Sequence, residues 1–110
     1  MQSFSLRKRC DVNKQRVEIE LLSKSYRNSK RILREADSHL FHYDRLILSQ
    51  HRRIVAHIEN VTESLDERDR FIIQKEVIEG NLGNWYLEYF STSSYYRHRK
   101  KAYNEFLRCL

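Results

Sequence analysis

The chain has 110 residues, no proline and two glycines, Gly80 and Gly83. Proline stops a helix because it lacks a backbone donor and clashes with the preceding turn. Glycine weakens a helix by roughly 1 kcal/mol relative to alanine. A chain that lacks the first and confines the second to one short stretch favours long uninterrupted helices. The expected fold class is all-α, with a long N-terminal helical hairpin followed by a three-helix helix-turn-helix module.

The periodicity of apolar residues supports the hairpin. From about Asp11, Val12, Ile19, Leu22, Tyr26 and Leu33 recur at heptad-like spacing, with Gln15 and Ser29 as weak seam positions. The flanks are basic, carrying Lys14, Arg16, Lys24, Arg27, Lys30, Arg31 and Arg34. Asp37-Ser38 is the expected break and N-cap. A second pattern of Leu40, Tyr43, Ile47, Ile54, Ile58 and Val61 suits another seam. Two helices joined by a short connection give an antiparallel hairpin over residues 11–63. Residues 1–10 hold Arg7-Lys8-Arg9 without apolar periodicity and read as a flexible basic N-terminus. Each seam is narrow, so the hairpin must pack on the C-terminal module or on a second copy, which makes a homodimer an expected partner.

Residues 64–110 read as three shorter helices with two stops. Ser64-Leu-Asp-Glu67 fits a capping box, in which Ser and Glu side chains satisfy backbone donors reciprocally. Phe71, Ile72, Ile73, Val77 and Ile78 supply an apolar helix, and Gly80 sits where a helix end favours a left-handed residue. Asn84 to Phe90 is long enough for about two further turns. Ser91 is the N-cap of the last helix. There Tyr95, Ala102, Phe106 and Cys109/Leu110 fall near one face, and the other carries Thr92, Ser93, Tyr96, Arg97, Lys100 and Lys101. A helix apolar behind, basic in front and hydroxyl-rich at its start suits a DNA groove.

The segments LDERDRFIIQKEVIEG and FSTSSYYRHRKKAYNEFL resemble the C-terminal DNA-binding module of bacterial sigma factors, region 4. They are closer still to ArpU-like transcriptional regulators of Gram-positive phages. The matching positions are Leu65, Arg70, Glu79, Gly80, Ser91, Ser93, Ser94, Tyr96, Lys101 and Ala102. The family has a small Ala on the first helix of the pair and a Gly in its turn. Here Trp85, Tyr86, Leu87, Glu88, Tyr89 and Phe90 stand in that stretch, and their bulk would push the helices apart and remodel the turn. The layout is also similar to that of small uncharacterised mollicute proteins, which implies no function. The regulator resemblance implies DNA binding in transcription control with duplex DNA as partner, and the residues of the last helix expected to carry it are Thr92, Ser93, Ser94, Tyr96, Arg97, Lys100 and Lys101. It also implies RNA polymerase as an alternative partner, because region 4 modules dock on polymerase. A non-catalytic helical adaptor or assembly protein is the remaining alternative.

Charge narrows the classes further. The net charge is +6 and the isoelectric point lies near 9.5, which points to polyanionic partners. Residues 1–34 carry 10 Lys and Arg against 3 acids, residues 35–90 carry 6 against 11, and residues 91–110 carry 5 against 1. Basic ends around an acidic middle do not suit a protein that simply coats nucleic acid. Stacking on unpaired bases would need cations among the aromatics, yet no Lys or Arg lies between Lys75 and Arg97. Trp85, Tyr86, Tyr89 and Phe90 are therefore read as a small core between helices.

No apolar run approaches the roughly 18 residues that cross a bilayer, and no signal-peptide core is visible, so a cytoplasmic protein with no membrane partner is expected. Cys10 and Cys109 stand in no metal or redox spacing and read as free thiols. His39 and His42 could share a helix face beside Asp44, but nothing supplies the third and fourth ligands a metal needs. No phosphate loop, nucleophile elbow or paired-carboxylate motif appears. The expectation is a protein that is not an enzyme and has no metal or cofactor.

Overall fold

The computed structural model describes residues 2–38 and 42–110, with side chains from Lys14 onward. Among the described residues four α-helices follow one another: α1 (Gln2–Asp37), α2 (Arg45–Ser64), α3 (Glu67–Ile73) and α4 (Thr92–Cys109). A π-helical turn, Gln74–Ile78, continues α3, and a 3₁₀ helix, Trp85–Glu88, stands alone before α4. The described residues contain no strand. The fold is all-α.

The hairpin forms, with altered boundaries. The backbone of α1 is helical from Gln2, where apolar periodicity placed its start near Asp11. Ser38 closes α1 by donating its hydroxyl to the Glu35 carbonyl at 3.0 Å and does not cap α2. That role falls to Asp44, whose carboxylate accepts the Leu46 N–H at 2.8 Å. His39 and Leu40 lie outside the described residues. Ile19 and Tyr26 of α1 face Val55, Ile58 and Val61 of α2 within one core, and Leu22, Leu33 and Ile54 pack against it. Ile47, expected on the seam, is 43% exposed. Polar contacts also join the two helices: Ser29 Oγ lies 2.8 Å from His51 Nδ1, and Tyr26 donates to Glu59 at 2.6 Å. The same Glu59 faces Lys30 at 3.6 Å.

The core does not stop at the hairpin. Leu65, Ile72, Ile73 and Val77 join it, as do Ala102, Tyr103 and Phe106 of α4. The hairpin thus packs on the C-terminal module, one of the two covers its narrow seams called for. This shared core also decides where α3 begins. Leu65 turns inward in extended conformation, so the cap of α3 is Asp66, which accepts the Asp69 N–H at 3.1 Å. Ser64 remains the last residue of α2 and donates to the Val61 carbonyl, so the expected capping box from Ser64 does not form.

The π-helical turn widens the backbone beside α1. Ser23, fully buried, donates its hydroxyl to the Val77 carbonyl at 2.9 Å. Gly80 ends this segment with φ 70°, the left-handed conformation that glycine adopts without a Cβ clash. Between Gly80 and Ser91 the expected two-turn helix is a single 3₁₀ turn. Its rings are the reason. Trp85 packs edge-on against Phe71 and Tyr95 with centroids 5.6 and 5.7 Å away, and Tyr86 stacks on Tyr95 at 3.8 Å. Placing both rings inward over consecutive residues favours a tight turn over a longer helix.

Candidate nucleic-acid interface

Helix α4 starts as the sequence predicts: Ser91 is its cap, and the Ser91 hydroxyl accepts the Ser94 N–H at 3.3 Å. Its buried residues are Tyr95, Ala102, Tyr103 and Phe106. The first, second and fourth were expected inward; Tyr103 was not singled out, although it adjoins Ala102 on the widened face that a core-facing helix needs. Cys109 and Leu110 are exposed, and Cys109 is a free thiol. Thr92, Ser93, Tyr96, Arg97, Lys100 and Lys101 are all exposed, and Ser94 is half-buried.

What fixes the rotation of α4 is a buried carboxylate. Glu76, on the π-helical turn, is fully buried. Its Oε2 accepts the Tyr95 hydroxyl and, at 3.3 Å, the Trp85 indole N–H, while its Oε1 accepts the Tyr103 hydroxyl. Three donors from two elements satisfy the group, which meets the requirement for burying a carboxylate. Burial first, and then the Glu76 hydrogen bond and charge, push the Tyr95 phenol well above its ordinary range. Tyr103 is pushed up likewise, by burial and then by the Glu76 charge. The sequence carried a weak signal for this site. Glu76 follows Ile72 and Ile73 at helical spacing, on the inward side of an apolar helix.

Arg99 is the other residue that the sequence did not mark. Its guanidinium carbon lies 4.7, 5.5 and 5.7 Å from the ring centroids of Tyr96, Tyr103 and Tyr95. Attraction to ring faces positions such a cation without neutralising it. Tyr96 is 47% exposed, so one side of this stack faces the surface.

The cations of α4 divide into two groups. Lys101 Nζ lies 2.9 Å from Asp66 Oδ2 and 3.4 Å from Asp69 Oδ2, at the start of α3. The hydrogen bond to Asp66 leads in raising the Lys101 ammonium, and the same bond leads in lowering the Asp66 carboxyl. Asp69 moves the opposite way. Burial raises its carboxyl, and its Oδ1 has no hydrogen-bond partner. Arg97, Arg99 and Lys100 form no ion pair among the described residues. Between the two groups His98 approaches Arg68 at 3.5 Å, and desolvation followed by the Arg68 and Arg97 charges lowers its imidazole.

The described residues contain no group of three or more His, Cys, Asp or Glu placed to hold a metal. Among them, no helix is long and apolar enough to cross a membrane. No family model, no curated protein and no solved structure matches this chain.

Proposed function

We propose that this chain is a DNA-binding transcription regulator whose α4 reads duplex DNA as the recognition helix of a modified helix-turn-helix. One observation carries the reading: Arg97 and Lys100 stand on the exposed side of a helix that is anchored from behind, and neither has a carboxylate partner among the described residues. An unpaired cation on a rigid helix gives up little on meeting a phosphate and releases the counterions condensed there. Thr92, Ser93 and Tyr96 occupy the first turns of the same side, where a groove-bound helix places base-reading groups. Ser94 contributes mainly through its N–H to the cap. Lys101 reaches a phosphate only by exchanging Asp66 and Asp69 for it. In this reading α3 and its π-helical turn are the brace, and the 3₁₀ turn stands in for the first helix of the pair.

Selection of bound sequences from a random duplex pool tests the proposal. Enrichment of a common site supports it. Failure to retain any duplex at low salt leaves the adaptor role, and co-purification with RNA polymerase in that case makes the chain a polymerase-associated, sigma-like factor.

A further inference from the structure

Helices α1 and α4 meet beside Gln15, whose amide donates to the Asn104 side chain. Gln15, Tyr96, Arg99, Lys100 and Tyr103 line a groove of 190 Å³ between the two helices. Its wall is aromatic, its charged groups are two cations, and no carboxylate lines it. Several basic side chains elsewhere face acids, among them Arg31 with Glu35, Arg70 with Glu63, and Lys101 with Asp66. The pair in this groove has not.

Arg99 differs from the exposed cations of α4 in being held already. Three tyrosine rings surround its guanidinium, so it loses less side-chain freedom on binding than a solvated arginine would. A guanidinium offers a planar fork that fits two oxygens of a phosphate. Lys100 adds a second charge, and the Gln15 amide has a further N–H beyond the one given to Asn104. We propose that this groove seats one backbone phosphate of the duplex, gripped by Arg99 and Lys100 from α4 and by Gln15 from α1. The inference rests on the duplex-binding reading and deepens it. The nucleic-acid strand passing α4 is held between two helices, and α1 is part of the interface.

Duplex binding across a range of salt concentrations, compared for the wild type, Arg99→Gln and Gln15→Glu, tests it. Circular dichroism establishes that each variant is folded. Loss of one phosphate contact should make the slope of log K against log salt shallower by about 0.9, which weakens Arg99→Gln about eightfold at 0.1 M salt relative to a 1 M reference. Gln15→Glu places a carboxylate in the groove from the other helix and should weaken binding by roughly threefold or more. If Arg99→Gln disturbs the tyrosine stack and unfolds, Gln15→Glu decides alone. A folded Arg99→Gln or Gln15→Glu with wild-type affinity and slope overturns the groove while leaving duplex binding in place. A wild-type protein that binds no duplex overturns both.

Discussion

The carboxylate of Glu76 accepts the hydroxyl of Tyr103 across the joint between the π-helical turn and α4, and both residues are buried. Tyr103→Phe keeps the ring and removes the donor, which leaves Glu76 with Tyr95 and Trp85. A buried acceptor that loses a donor costs on the order of 1–3 kcal/mol, so urea unfolding should show a loss in that range. Glu76→Leu strands two phenols and an indole N–H together and should cost more. A Tyr103→Phe change under about 0.5 kcal/mol, the size of an ordinary surface substitution, would show that the bond does not hold the joint.

The same network predicts a weakness in alkali. Tyr95 and Tyr103 ionise less readily in the fold than in the unfolded chain. Groups raised in the fold contribute fully below their unfolded value, about 10 for a phenol, and lose that contribution as pH rises toward the folded value. Stability should therefore fall once pH passes about 10. Part of the phenolate absorbance, that of the buried rings, should appear only in step with loss of helical circular dichroism. The double variant Tyr95→Phe, Tyr103→Phe should be less stable at neutral pH and show a flatter alkaline limb.

In acid, two neighbouring carboxylates should titrate in opposite senses. Asp66 is lowered, chiefly by its hydrogen bond to Lys101, so its stabilising effect is present above the unfolded value and is lost as pH falls through the folded one. Asp69 is raised by burial, so its protonation favours the fold as pH falls. Carboxyl NMR should show Asp69 taking up its proton at higher pH than Asp66. In Lys101→Met the Asp66 titration should move upward.

Gly80→Ala should destabilise by about 1–2 kcal/mol, the cost of a left-handed conformation for a residue with a Cβ. The added Cβ would also meet the Arg27 guanidinium at 2.7 Å, but that is the mobile end of a long side chain. The backbone should dominate. Thermal unfolding of Gly80→Ala combined with Arg27→Ala should accordingly show no rescue.

On the final helix, the distribution of partners predicts unequal effects. Lys100→Ala should reduce the salt slope of duplex binding by about 0.9. Lys101→Ala should reduce it less, because Asp66 and Asp69 already hold that ammonium. Ser93→Ala and Tyr96→Ala should lower preference among sequences and leave the salt slope nearly unchanged. Equal slope changes for all four variants would mean that this helix meets only the backbone.

The sequence by itself determined what depends on neighbours within a few turns. The absence of proline and the apolar periods made the chain helical. Gly80 ended one segment because its backbone alone enters the left-handed region freely, and Ser91 opened another because its hydroxyl can reach a nearby N–H. The spacing of Tyr95, Ala102 and Phe106 assigned the inward face of α4. Tertiary structure decided whatever needed a distant partner. The capping pattern at Ser64 and the cap at Asp66 were both locally acceptable, and burial of Leu65 selected the second. Aromatic packing of Trp85 and Tyr86 replaced a helix by one tight turn. Spacing alone gives Glu76 only a weak mark of burial, and its partners come from the distant rings of Tyr95 and Tyr103. Likewise, Lys100 and Lys101 are neighbours of one kind in the chain, and only the approach of α3 to α4 gives the second a carboxylate and leaves the first its charge unpaired. Local spacing carries no record of which surfaces will meet, and burial and charge pairing arise only where they do.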